Sequence, residues 1–189
     1  QAALMARFMK ATEERVRAVR PRVRGWGWWS MGTVHPGYLT WHADKYQQWK
    51  TTGLAAEQAA VAGPWIPFPS FYFPTTYPDP AIRRQVWPKL TDHWTMLYGR
   101  ERLARDAYAY LNIRHSGDAG KPYAGLPVTR AEFHECVEAA WSIGIRKFVI
   151  WDAIESPAAR DTAQKFIDEI LTPEARLWSD RARAERARK

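Results

Sequence analysis

Four short apolar, aromatic-rich runs recur along this chain at a nearly constant interval. That interval limits the possible folds more than any other feature. The runs centre near residues 28, 68, 109 and 149. A repeat of roughly forty residues is the rhythm of parallel strands joined by crossover helices, because each parallel return must travel back along the strand before pairing again. The expected strands are 24–31 (with Trp26, Trp28 and Trp29), 64–72, 106–113 and 147–151. The last of them, Phe148-Val149-Ile150, is wholly apolar, as in strands covered on both faces.

The segments between these runs read as helices. In 2–20, Leu4, Phe8, Thr12, Val16 and Val19 follow an i, i+4 stripe that Met5 and Met9 broaden, and Pro21 stops it. Residues 32–63 read as a long loop with a short helix in the Ala-rich 54–62. Asp79-Pro80 is a cap followed by a first helical residue. Ile82, Val86, Leu90, Trp94 and Leu97 form the expected buried stripe behind it, with a kink at Pro88. Thr129-Arg130-Ala131-Glu132 is a capping box, opening a helix through Phe133, Val137 and Trp141 that Gly144 closes. Ser156-Pro157 starts a last helix with Phe166, Ile167 and Ile170 inward, expected to end at Thr172-Pro173.

The chain has 189 residues. A complete (β/α) barrel needs ~250, so the expectation is an α/β fold of partial TIM-like type. It would hold about four parallel strands with crossover helices in residues 1–178, followed by a basic tail, 179–189. Half a barrel leaves two open sheet edges and an apolar face. The expected partners are therefore a missing N-terminal half or a second copy. Gln1 is not an initiator Met, so a leader or more is expected upstream, and a full-length secreted form is compatible with this sequence.

Composition narrows the function classes. Hydrophobic residues make up 46% and charged residues 25%, the balance of a globular domain, and no run approaches the ~20 apolar residues of a membrane span. The single Cys136 excludes an intrachain disulfide and a multi-Cys metal site, and no cofactor is expected. No Gly-x-Gly-x-x-Gly follows a strand and there is no Walker motif, which counts against nucleotide binding. The net charge of +8 sits at the ends. Residues 1–24 carry seven Lys/Arg against two Glu, and 181–189 carry five against one. Such ends suit a polyanion, or are simply solvated.

Eleven Trp residues are the compositional anomaly. Aromatics fill cores, and they are also platforms on which sugar rings pack. The C-terminal ends of the expected strands carry Trp28 and Trp29, then Tyr72, then Asn112 and His115, then Trp151 and Asp152. In barrel folds the working residues gather at such ends. Aromatic walls with an amide, an imidazole and a carboxylate suit a pyranose, with Trp28, Trp29, Asn112, His115 and Trp151 as substrate-binding candidates. Trp28 and Trp151 as core residues are the competing reading.

At these positions the chain resembles the hyaluronidases. Arg20-Pro21 with Trp26-Gly27-Trp28-Trp29 is similar to their Arg-Pro…Trp-Gly-Tyr-Tyr segment, and Pro69-Ser70-Phe71-Tyr72-Phe73-Pro74 to their Pro-Ser-Ile-Tyr-Leu-Pro strand end. Gly144-Ile145-Arg146-Lys147-Phe148-Val149-Ile150-Trp151 resembles their Gly-Ala-x-Gly-Ile-Val-Ile-Trp strand, and Leu126-Pro127 matches the start of the helix before it. The resemblance implies a glycoside hydrolase that cleaves N-acetylhexosamine-containing polysaccharide with retention, the substrate's own acetamide attacking the anomeric carbon. It places Tyr72 beside the acetamide and Trp151 beneath it, with Asp152 as an added carboxylate where the family has Gly. Tyr72 and Asp152 are thus the catalytic candidates.

Two departures stand beside this likeness. The cysteines that staple the secreted animal enzymes are absent, pointing to a bacterial, viral or intracellular relative. The family's Asp-x-Glu acid pair is also absent from this sequence, so those acids are expected upstream of Gln1 and the isolated chain is expected to be inactive. Asp152-Ala153-Ile154-Glu155 is the nearest strand-end carboxylate pair, or a solvated loop. The alternatives are a non-catalytic carbohydrate-binding barrel and a basic nucleic-acid-binding protein.

Overall fold

Helices, not strands, account for most of the architecture. The computed structural model describes residues 2–22, 27–28, 43–62, 66–71, 79–115, 125–152 and 156–188. In chain order these form α1 (Ala2–Val19), β1 (Gly27–Trp28), α2 (Ala43–Thr52), α3 (Leu54–Val61), β2 (Ile66–Pro67), α4 (Pro80–Tyr98) and α5 (Arg100–Asp106). There follow β3 (Ala109–Asn112), α6 (Arg130–Ser142), β4 (Phe148–Trp151), α7 (Pro157–Phe166), a π-helical turn (Ile167–Leu171) and α8 (Thr172–Ala187).

The expected partial TIM-like barrel is therefore corrected. Among the described residues the strands are two to four residues long, and they form two two-stranded parallel sheets, β1 with β2 and β3 with β4. Strands this short make no barrel wall, which needs longer, tilted and continuously paired strands. The second run is cut short by its prolines: Pro67 and Pro69 have no N–H to give a ladder. Their carbonyls still accept, Pro67 from Tyr108 N at 3.0 Å and Pro69 from Tyr110 N at 2.9 Å. Phe71 N donates to Tyr110 O at 2.9 Å, so residues 67–71 run parallel beside β3 without extending β2.

The helix starts follow from local chemistry. Asp79 accepts from Ala81 N at 2.7 Å, Ser156 from Ala159 N at 3.1 Å, and the Thr129/Glu132 capping box closes in both directions. Pro88 lies inside α4 without ending it. Val86, Leu90, Trp94 and Leu97 are buried as the stripe predicts, whereas Ile82 is exposed. The α1 stripe is a further correction: Leu4, Phe8 and Val19 are more than half exposed. Thr12 and Val16 between them are part-buried and α1 packs on α3, so the covered part is the middle of the stripe.

Thr172-Pro173 does not end the last helix. A proline in a regular α-helix would clash with the carbonyl four residues back and lacks the N–H to bond it. The preceding turn widens to a π turn, with Thr172 N bonding Ile167 O, and Pro173 falls in the first turn of α8. The expected basic tail is thus the end of α8. Buried Glu174 ties that helix to α6, accepting from Arg130 Nε at 2.8 Å and Trp178 Nε1 at 3.1 Å and meeting His134 Nδ1 at 2.7 Å. Burial pushes the Glu174 carboxyl up, but these bonds outweigh it and hold it below the usual range.

Candidate functional site

β3 and β4 pair in register, Tyr110 with Val149 and Asn112 with Trp151. Because side chains alternate across a strand, Tyr110, Asn112, Val149 and Trp151 share one face. The opposite face, Ala109, Leu111, Phe148 and Ile150, belongs to or packs on the core with Leu90, Phe133 and Ala140. The parallel bridge of Ser70 to Tyr110 extends the first face to Phe68, whose ring stacks on Tyr108 at 5.5 Å. Phe68, Tyr108, Tyr110 and Val149 are each part-exposed, and Trp151 is 47% exposed. An exposed aromatic face of this kind marks a candidate contact surface.

Trp151 and Tyr110 lie with ring centroids 6.3 Å apart and tilted by 33°, two adjacent platforms at the strand end. Part burial raises the Tyr110 phenol above its ordinary value. Asp152 follows immediately, its Oδ2 2.8 Å from Arg114 Nε. Arg114 Nη2 also donates to Ala159 O at 3.1 Å, and Arg114 N to Asn112 Oδ1 at 3.3 Å. The Arg114 side chain therefore joins the ends of β3, β4 and α7, and only 9% of the Asp152 side chain stays exposed.

The expected residues are placed as follows. Asn112, Trp151 and Asp152 come together at the ends of β3 and β4. Trp28 is the last residue of β1, paired in parallel with Pro67. Trp29, Tyr72 and Glu155 lie outside the described residues. His115 is buried away from the open face, its Nε2 3.3 Å from Glu132 Oε2. There it joins a network that the sequence reading missed. Arg83, 4% exposed, reaches Glu132 at 3.1 Å and Glu135 at 2.8 Å, and Trp87 Nε1 donates to Glu135 at 3.2 Å. Burial pushes Glu135 up, yet the Arg83 and Trp87 bonds bring it below the ordinary carboxylate value. This network clamps α4 to α6.

Tyr108, Tyr110 and Arg114 were also missed as site residues. The alternation Tyr108-Ala109-Tyr110-Leu111-Asn112 was the signal for the two tyrosines: large and polar groups at even positions, small or aliphatic ones at odd. Arg114 carried no such mark. Cys136 is buried, and burial pushes its thiol far above the reactive range. No three metal-ligating side chains cluster among the described residues, and no helix there is long and apolar enough to cross a membrane. No family model, curated protein or solved structure matches this chain.

Proposed function

We propose that the open face of β3 and β4 binds a pyranose of an N-acetylhexosamine-containing polysaccharide, as a glycosidase-like carbohydrate-binding protein. The observation that carries this reading is the exposed Trp151 ring beside Tyr110. Two adjacent aromatic platforms offer the C–H face of a sugar more contact than one, while buried Asn112, its Oδ1 accepting from Arg114 N, holds the strand end. Asp152 acts here as a positioning residue, since its Oδ2 is bonded to Arg114. The Asp-x-Glu pair of the hyaluronidases has no counterpart in the sequence, so binding, not hydrolysis, is the activity proposed for this chain.

Isothermal titration with chitin and hyaluronan oligosaccharides tests the proposal. Trp151→Ala should weaken binding by about tenfold or more, a loss of ~1.4 kcal/mol or more of stacking and contact. Tyr110→Ala should weaken it less, and circular dichroism should stay unchanged for the Trp151 variant. Binding of neither oligosaccharide, or affinity indifferent to Trp151→Ala, would refute the reading. Binding that instead favours an oligonucleotide and collapses with salt would support the nucleic-acid alternative.

A further inference from the structure

A groove of about 610 Å³ lies between α5, α6 and α8 at the N-terminal end of β4. β4 is four residues long, which separates Phe148 at the groove by roughly 10 Å of strand from Trp151. Its floor is apolar and includes the small residues Ala104, Gly144, Ala175 and Ala182, with Phe148 among them. Gly144 has φ +98, and a Cβ there would come within 2.8 Å of the Ala104 Cβ, so α5 approaches this turn as closely as a backbone allows. Missing side-chain bulk, not mobility, makes the depression.

The chemistry of the rim decides what fits. Trp141 and Trp178 line the groove, but their faces are taken: the rings meet at 4.9 Å, Arg146 sits 3.9 Å over Trp141, and Arg181 sits 4.9 Å over Trp178. A nucleobase or a sugar would find no free tryptophan face to stack on. Glu185 is the acidic residue in the lining, and it is already held by Trp141 Nε1 at 2.8 Å, Arg146 at 3.2 Å and Arg181 at 3.4 Å. Arg146 and Arg186 face Glu185 in the lining, and Arg181 reaches the same Glu185 at 3.4 Å, so the rim stays positive.

We propose that this groove docks an acidic segment of a partner protein, which inserts one large aliphatic side chain onto the Ala182–Phe148 floor while its carboxylates meet the arginine rim. Charge complementarity selects the acid, and the covered tryptophan faces favour an aliphatic anchor over a planar one.

Fluorescence anisotropy on the full chain tests this. The probe is a fluorescein-labelled peptide of roughly 15 residues with two Leu four positions apart and Glu elsewhere. The controls are a Ser-for-Leu peptide, a Lys-for-Glu peptide and an oligothymidylate of matching length. The Leu/Glu peptide should bind, and each peptide control should weaken binding at least about tenfold. Ala182→Trp, which fills the floor, and Arg186→Glu, which reverses the rim, should each do the same with helicity retained. Trp151→Ala should leave it unchanged, so failure here is distinct from failure at the sugar face. No saturable binding of the Leu/Glu peptide, binding unaffected by both groove variants, or tighter Arg186-dependent binding of the oligothymidylate would overturn the proposal.

Discussion

His93 lies in α4 with 3% of its surface exposed, its ring 4.7 Å from Trp49, 4.8 Å from Trp94 and 6.1 Å from Tyr46. Among the described residues its Nδ1 has no hydrogen-bond partner, nor do Tyr46 Oη, Trp49 Nε1 and Trp94 Nε1. Burial among these rings lowers the imidazole from its ordinary 6.5 to about 4, because desolvation penalises the imidazolium. A depressed folded value means the native state refuses a proton that the unfolded chain accepts. The stability that comes from keeping His93 neutral is therefore complete above pH 6.5, falls as pH drops toward 4, and loses nothing further below that. The gap of about 2.5 pH units is worth about 3 kcal/mol, at up to ~1.4 kcal/mol per unit. Urea denaturation of the wild type and His93→Phe between pH 7 and pH 4 isolates this term, since the low-lying carboxylates titrate in both proteins. The wild type should lose about 3 kcal/mol more than the variant across that interval. At pH 7 the variant, which deletes an unpaired buried nitrogen, should lose little. Parallel pH profiles for the two proteins would refute the argument.

Further perturbations address the scaffold around the site. Arg83→Met should cost ~3–5 kcal/mol, because it leaves Glu132 and Glu135 without their shared cation. Adding Glu132→Gln and Glu135→Gln should recover part of that loss in the same urea titration. Gly144→Ala should cost roughly 1–3 kcal/mol, from its positive φ and the contact with Ala104, and thermal melts should show it at every pH. Trp151→Ala should leave the melting temperature nearly unchanged, since nearly half of that residue faces solvent, even as it removes the platform of the proposed sugar site.

Local signals in this chain were legible because they depend on few residues. Asp79, Thr129 and Ser156 announce helix starts through one side-chain oxygen each, and all three do so in the structure. The α4 stripe was readable for the same reason, since helical spacing puts Val86, Leu90, Trp94 and Leu97 on one side. The barrel expectation rested on something less local. An interval of forty residues gives the order and direction of pairing but not the length of a ladder. Ladder length depends on each residue offering both an N–H and a C=O, and Pro67 and Pro69 withhold the first. The π turn before Pro173 was likewise invisible, because its wider hydrogen bond is an accommodation made by the backbone and not a property of any side chain.

The site was legible to the degree that it was periodic. Trp151 and Asn112 could be named from their places at strand ends, and the register brings them side by side. His115 sat at the same sequence offset and was carried elsewhere, because the Glu132 carboxylate that accepts from Thr129 in the capping box also lies within 3.3 Å of the imidazole. Helix start and imidazole anchor thus share one buried oxygen, Glu132 Oε2. A residue's position along a strand settles which face it occupies only while it remains in the ladder. Beyond Asn112 the chain turns, Arg114 bridges backward to Pro127, and the polar groups follow the nearest buried charge instead of the strand. This separates the two halves of the expected polar set. Asn112 stays in register with Trp151, whereas His115 joins the α4–α6 clamp through Glu132.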